Sequence, residues 1–259
     1  MRIATYNING IKARIETALA WLDDSAPDVA LLQEIKSIDE AFPRAPFEER
    51  GYNVETHGQK GFNGVAILSK RPLEDVTQGL PGDAGDEQAR WIEATVMGAR
   101  AVRLCCLYLP NGNPAPGPKY DYKLAWMARL EARAKALLES EEPVVMAGDY
   151  NVIPQDEDAA RPEAWASDAL ALPRTRAAFR RIINLGYTEA FRARVQGPGH
   201  YSFWDYQAGA WSRNDGIRID HLLLSPQAAD LMTECRIEAE QRGREKPSDH
   251  VPVWVTLDA

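Results

Sequence analysis

Four short apolar runs in this chain each end on an amide, a carboxylate or a phenol, and this pattern constrains the fold most. Residues 2–8 (RIATYNI) alternate, are rich in strand formers, and lead through Asn7 into Asn9. Residues 29–32 have the length and composition of a buried strand and stop at Gln33-Glu34. Residues 101–109 alternate up to Tyr108 and run into Asn111, and residues 143–147 stop at Gly148-Asp149-Tyr150-Asn151. A fifth run, 218–224 (RIDHLLL), carries Asp220 within it, and Asp249-His250 directly precede a last strand at 251–257. One such residue is ordinary turn chemistry, because Asp and Asn favour turns. Several strand ends of one sheet, however, converge in space, as at the substrate sites of α/β folds. Turns alone do not explain a gathered set of four carboxylates, two amides, a tyrosine and a histidine.

The intervening segments interleave helices with these strands. Ile15, Ala18, Leu19 and Leu22 share one face of a helix over 14–22. A long amphipathic helix spans 120–140, with Leu124, Met127, Leu130, Ala134, Leu137 and Leu138 on its apolar stripe. A third helix covers 173–185, closed by Gly186. Further strands are expected at 64–69, 91–97 and 234–240, with 91–97 and 101–109 paired as a hairpin. Pro114, Pro116 and Pro118 make 111–118 an exposed loop. No repeat, linker or composition break divides the 259 residues, which predicts one domain, 1–259. The natural architecture is an α/β sandwich of two packed sheets flanked by helices.

Composition places the protein among globular chains: 45% hydrophobic and 26% charged residues exclude disorder throughout. Cys105 and Cys106 are neighbours destined for opposite faces of a strand, and Cys235 stands alone. An odd count so arranged is no disulfide framework, which points to a reducing compartment. With neither a signal-peptide pattern nor an apolar run near the ~18 residues of a membrane span, a cytoplasmic protein is expected. Nothing in the sequence demands an oligomer, so a monomer is expected. The net charge of −8 argues against a polyanionic partner held by bulk charge, but leaves room for a local basic face.

Clustered carboxylates repel one another unless a cation lies between them. All-oxygen ligands favour Mg²⁺, Mn²⁺ or Ca²⁺ over Zn²⁺. Mg²⁺ takes only one or two protein carboxylates, which frees the other acids to orient a water or a histidine. That combination suits metal-assisted hydrolysis of a phosphate ester. Asp220 and His221 are adjacent in a strand and point to opposite faces, so they cannot pair. Asp220 is the geometrically easier partner for His250.

Taken in order, YNINGIKAR (6–14), LLQEIK (31–36), GVAILS (64–69), LYLPNG (107–112), GDYN (148–151), FWDYQ (203–207), RIDHLLLS (218–225) and KPSDHVPV (246–253) resemble the exodeoxyribonuclease III family of the endonuclease/exonuclease/phosphatase superfamily. The resemblance covers nearly the whole chain. It implies a four-layered α/β sandwich of two mixed sheets, the DNase I-like fold. It also implies Mg²⁺-dependent cleavage of double-stranded DNA 5′ to abasic sites, 3′→5′ exonuclease activity, and removal of 3′-phosphates and other blocked 3′ ends, with Mn²⁺ as a substitute metal.

Carried over residue by residue, Glu34 resembles the principal metal ligand with Asn7 beside it, and Asp149 the carboxylate that orients or deprotonates the attacking water. Asn151 resembles the amide that holds the water and the phosphate, and both it and Asp149 are also placed among the metal ligands. Tyr108 is either a donor to the phosphate or, as phenolate, a base. Asp220 and His250 resemble the paired aspartate and histidine, and Asp249 a second-metal or histidine-orienting carboxylate. Phe203, Ile217 and Ile219 align with a small apolar pocket for a flipped-out abasic sugar, with plain core packing as the alternative. Trp204 and Trp211 are either stacking surfaces for DNA or packing residues, and Arg90 and Asn111 join the substrate-binding set. Tyr6, Lys12 and Tyr150 depart mildly from the family's commoner Trp, Arg and Phe.

Two alternatives follow from the same superfamily. Inositol-phosphate and sphingomyelin phosphodiesterases and RNA deadenylases share the metal glutamate and the GD-x-N and SDH motifs, but are not expected to share FWDYQ, RID or the NGIKAR start. A non-catalytic regulatory relative would have lost catalytic positions, and here all are filled. Finally, residues 174–194 hold six arginines and one acid, which is either a solvated face or a DNA-backbone contact beside the site.

Overall fold

The computed structural model describes all residues, Met1–Ala259. Two six-stranded mixed sheets pack face to face. The first contains β1 (Arg2–Asn7), β2 (Val29–Gln33), β3 (Asn53–His57), β4 (Val65–Ser69), β11 (Met232–Ile237) and β12 (Val253–Leu257), in the order β11-β12-β1-β2-β4-β3. The second contains β5 (Leu73–Gln78), β6 (Trp91–Met97), β7 (Ala101–Tyr108), β8 (Val144–Asp149), β9 (Thr188–Glu189) and β10 (Asp220–Leu224), in the order β5-β6-β7-β8-β10-β9. Three longer helices, α1 (Ile15–Ser25), α3 (Pro118–Leu138) and α5 (Pro173–Asn184), are joined by the short α2 (Ala45–Glu48), α4 (Pro162–Trp165) and α6 (Pro226–Asp230).

Three apolar clusters build the layers. Ile3, Leu31, Ile67, Leu104, Val145 and Leu222 belong to the cluster between the sheets. Ala18, Trp21 and Leu22 of α1 cover the outer face of the first sheet through Ala4, Tyr6 and Leu32. Leu130 and Ala134 of α3 and Phe179 and Ile182 of α5 cover the second sheet through Cys105, Leu107 and Met146. The result is the four-layered α/β sandwich expected from the sequence.

Strand alternation carries this core directly into a polar end. Successive side chains of a strand point to opposite faces. Ile3 faces the inter-sheet core, so Thr5 and Asn7 do too; Val102, Leu104 and Cys106 carry the same parity to Tyr108. Val145 and Ala147 carry it to Asp149, and Leu222 and Leu224, read backwards, to Asp220. β8 and β10 are antiparallel with Asp149 opposite Asp220, and β7 is parallel to β8 with Tyr108 opposite Asp149. The same rule sends Cys105 outward and Cys106 inward, and all three cysteines are buried and free.

The expected 91–97/101–109 hairpin forms. Three strands went unanticipated: β3, β5 and β9 lie at sheet edges, where half the residues are wet and NVETH or LEDVTQ reads as loop. The 218–224 run starts its strand only at Asp220, because Ile217 bridges to Phe203 and Ala159 instead. The 234–240 strand is shifted to Met232–Ile237 and followed by a 3₁₀ turn, Ala239–Gly243. No helix is long and apolar enough to cross a membrane.

Candidate active site

The polar ends of β1, β2, β7, β8 and β10 meet the loop before β12 in one cleft. The Asn7 amide donates to both Glu34 Oε1 and Asp149 Oδ2, at 2.9 Å each. Its own oxygen accepts from the Asn9 N–H at 3.0 Å, so the carbonyl faces away from the two carboxylates. Glu34 follows β2 in left-handed backbone (φ 51°), a conformation unusual for a non-glycine residue and stored at functional sites. Bonds from Gly10 N to Glu34 O and from Ile35 N to Gly64 O hold it there. Lys36 Nζ reaches Glu34 Oε2 at 2.8 Å. Burial raises the Glu34 pKa, but the hydrogen bonds from Lys36 and Asn7 outweigh it and hold the carboxyl below its ordinary range.

Across the cleft, Asp220 Oδ2 accepts from His250 Nδ1 at 2.8 Å, and His250 Nε2 stands 3.7 Å from Asp149 Oδ2. All three residues are buried. Burial disfavours protonation of His250, yet the carboxylates of Asp220 and Asp149 overcome it and keep the ring an imidazolium. Burial also pushes the Asp149 carboxyl upward, as do Asp220 and Glu34, with His250 opposing. Tyr108 is raised well above a phenol's ordinary value by burial and then by Glu34 and Asp149, so it is a phenol, not a phenolate, at neutral pH. Asp149 Oδ1 is held by Asn151 N at 2.8 Å. Asn151 Nδ2 donates to Leu109 O at 2.9 Å, and its oxygen accepts from Asn111 Nδ2 at 3.2 Å. Asp249 Oδ1 accepts from Asn9 Nδ2 at 3.0 Å.

The cleft opens on a cavity of about 170 Å³. Glu34, Tyr108, Asn111, Asp149, Asn151, Asp249 and His250 line one side, and Trp165, Leu170, Phe203, Ile217 and Ile219 the other. This volume is well below the roughly 300 Å³ at which drug-sized pockets begin. The Phe203 ring packs edge-on to His250 at 5.0 Å, so the apolar wall touches the charged dyad.

The donor set also suits a hard divalent cation. Carboxylate oxygens of Glu34 and Asp149 lie within 4.8 Å of each other, beside His250, whose protonated ring has no lone pair to offer a metal. Asp220 Oδ1 is buried without a hydrogen-bond partner, so negative charge there is incompletely compensated by protein groups. Oxygen-rich sites of this kind fit Mg²⁺ or Mn²⁺.

The sequence matches the model of the endonuclease/exonuclease/phosphatase family over residues 4–250. It is 35% identical over 265 residues to the exodeoxyribonuclease III of Haemophilus influenzae, covering 98% of each chain. The 3′-5′ exonuclease NExo of Neisseria meningitidis superposes with a TM-score of 0.94 at 35% identity, covering 100% of both chains. An AP endonuclease of Archaeoglobus fulgidus gives 0.93 at 34% identity, again over 100% of both. The chain belongs to the endonuclease/exonuclease/phosphatase family, in its exodeoxyribonuclease III branch.

Several expectations drawn from that family are corrected by the structure. Trp204 is 2% exposed, packed edge-on against Trp211 at 4.9 Å, and its indole donates to Asn214, so it offers DNA no stacking face. Trp211 is half-buried in the same cluster and does not line the cavity. Arg90 stacks over the Tyr108 ring at 4.8 Å and donates to Tyr108 O at 3.1 Å, bracing Tyr108 and not lining the cavity. Asn7 turns its amide N–H₂ towards the carboxylates and holds Glu34 and Asp149 in place through it. In the 174–194 segment, Arg176 pairs with Asp156, Arg181 with Glu131 and Arg192 with Asp158, which neutralises half of its arginines.

Sequence reasoning missed five residues at the site. Asn113, Trp165, Asp168 and Leu170 line the cavity. Fully buried Lys123 donates to Asn111 O at 3.1 Å and to Asn151 O at 2.6 Å. The only sequence signal for Lys123 is its place among the apolar positions of α3, one residue before Leu124. A groove of about 650 Å³ with a net positive lining, Lys12, Arg14, Arg244 and Lys246 against Glu16 and Glu245, lies along the start of α1. Arg14 ties it to the site by donating to Asn9 O.

Proposed function

We propose that this chain is a repair nuclease of exonuclease III type acting on duplex DNA. It cleaves phosphodiesters 5′ to abasic sites, removes nucleotides 3′→5′, and clears 3′-phosphates and blocked 3′ ends. The observation that carries this reading is the junction at Phe203, where the carboxylate–histidine cluster and an apolar wall of Phe203, Ile217 and Ile219 line one cavity of about 170 Å³. A phosphate held at the cleft places an extruded abasic deoxyribose against Phe203, Ile217 and Ile219, while a normal nucleotide is too large.

The residues divide the work as follows. Asp149, buried and raised in pKa, accepts the proton of the attacking water, and the Asn151 side chain orients that water and the phosphate. His250, kept protonated by Asp220, donates to a phosphate oxygen as negative charge grows there, a role for which a fixed buried cation is well suited. Tyr108, a phenol under these charges, donates to another oxygen. Glu34 is the principal ligand for Mg²⁺, with Mn²⁺ as substitute, and Asn7 sets the spacing of Glu34 from Asp149. When bound, the metal polarises the phosphate and offsets the carboxylate charge. Lys12, Arg14, Arg244 and Lys246 supply the backbone contacts that position the duplex without reading its sequence.

The decisive experiment is nicking of a duplex with one abasic site, with Mg²⁺ or with EDTA, alongside a 3′-phosphate substrate. Cleavage 5′ to the lesion, abolished by EDTA, is expected. Abasic DNA left intact with Mg²⁺ at micromolar enzyme refutes the reading.

A further inference from the structure

Exonuclease action makes a demand that the catalytic cavity alone does not meet. Incision 5′ to an abasic residue and removal of a 3′-terminal nucleotide cut the same bond. Both residues therefore place their sugar beyond the scissile phosphate, against Phe203, Ile217 and Ile219. The terminal nucleotide carries a base besides, which needs a space of its own. A second groove, of about 330 Å³, adjoins the cavity. Trp165, Asp168, Phe203 and Ile217 line both, so these side chains form the shared wall.

The fold holds this groove open. One side is the short α4, and the other is the loop 205–215. Arg161, just before α4, pairs with Asp215, and Ala160 N donates to Gly216 O at 2.9 Å, so the two sides are fastened together. Small residues, Ala164 on α4 and Ala208 and Ala210 on the loop, leave the space between them free. Two arginines, Arg161 and Arg213, are set against Asp168, Asp205 and Asp215, so no positive excess invites a phosphate. What remains is aromatic surface from the half-buried Trp165 and Phe203, with exposed polar groups such as Gln207 around it. That lining suits a flat, neutral ring gripped by its face. Such a surface accepts all four bases, as digestion of any sequence requires, because every base has a π-face.

We propose that this groove is the base subsite of the exonuclease reaction. The sugar of an extruded 3′-terminal nucleotide fills the cavity, and its base stacks beyond the shared wall of Trp165 and Phe203. The inference rests on the exonuclease part of the reading above. An abasic residue leaves the groove empty, and a 3′-phosphate leaves both spaces empty, since no sugar lies beyond its phosphorus.

The test takes three duplexes of one sequence that differ at the 3′ end: an ordinary nucleotide, a terminal tetrahydrofuran residue, or a 3′-phosphate. Ala164→Trp fills the groove from an exposed position that does not line the cavity. It is expected to lower kcat/KM on the ordinary end about tenfold or more relative to the tetrahydrofuran end, the contribution of one stacked base. The ratio of the tetrahydrofuran rate to the 3′-phosphate rate should stay as in wild type. Because each ratio is taken within one enzyme, it is independent of the fraction of folded protein. Should that variant not fold, Gln207→Trp fills the groove from the facing loop and carries the same expectation. A further readout needs no variant: wild type in EDTA, irradiated on a duplex ending in 5-iodouracil, should crosslink within 161–168 or 203–217. A filled groove that leaves the ratio of ordinary to tetrahydrofuran ends unchanged or raised, or the absence of a crosslink in those segments, overturns the base subsite and leaves exonuclease action standing. Failure of wild type to remove the ordinary terminus refutes the exonuclease reading, and the subsite with it.

Discussion

Replacing Lys123 by methionine separates stability from catalysis. The ammonium is fully buried and bridges the main-chain carbonyls of Asn111 and Asn151, with Gly112 so close that a Cβ there would lie 2.6 Å from Lys123 Cδ. Burial, opposed by Asp149 and Asp168, lowers its pKa from 10.5 to about 7. At pH 7 the unfolded chain holds this proton fully and the folded chain about half, so burying the amine costs roughly 4 kcal/mol at 1.36 kcal/mol per pKa unit. Removing it strands the buried Asn151 carbonyl and the part-buried Asn111 carbonyl, at up to about 1–3 kcal/mol each. The two effects nearly cancel, and Lys123→Met should shift stability at pH 7 by less than about 2 kcal/mol. Between pH 7 and 9.5 the unfolded state binds more protons than the folded one. Wild type should therefore gain about 3 kcal/mol over that range relative to the variant. Urea denaturation of both proteins in EDTA at the two pH values reads this directly. Activity should part from stability: with the shared anchor of Asn111 and Asn151 gone, kcat falls on the order of 100-fold, while KM for DNA changes little because Lys123 never reaches solvent. Parallel pH dependences in the two proteins, or an unchanged kcat, refute the reasoning.

Four further outcomes are expected. Asp149→Asn should lower kcat about 10²–10⁴-fold while gel-shift affinity for abasic DNA persists; equal loss of both makes Asp149 structural. Glu34→Gln should raise the Mg²⁺ concentration for half-maximal rate by about tenfold or more, and an unshifted titration removes Glu34 from the metal site. Phe203→Ala should reduce abasic incision about tenfold more than 3′-phosphatase activity, and a common fall in both disproves the sugar pocket. Glu189 is drawn from 4.5 to about 2, because Arg218 at 2.9 Å and His221 outweigh its burial. Its pairing therefore stabilises the fold above pH 4.5 and is lost as pH falls towards 2, a contribution of about 3 kcal/mol that Glu189→Gln should remove from the acid limb of the stability curve.

The catalytic half of the site was legible because alternation along a strand is a one-dimensional rule. Once Ile3, Leu104 and Val145 are assigned to the core, Asn7, Tyr108 and Asp149 must lie on the same face, and adjacent strands bring their ends together. The Asp220–His250 pairing was legible for the complementary reason: Asp220 and His221 take opposite faces, which leaves Asp220 free for a partner from another element. Charge obeys no such rule. Arg176, Arg181 and Arg192 read as part of a basic stripe, yet their partners Asp156, Glu131 and Asp158 lie 20 to 50 residues away, and folding neutralises these three of its six arginines. The basic groove is the converse case. Lys12 and Arg14 come from one end of the chain and Arg244 and Lys246 from the other, so no window of sequence shows them together. The fold joins them where β12 pairs with β1, beside the strand ends that carry Asn7 and Asp249. The net charge of −8 is thus compatible with a polyanionic substrate: acids dominate the total, while the cations beside the site are assembled by topology.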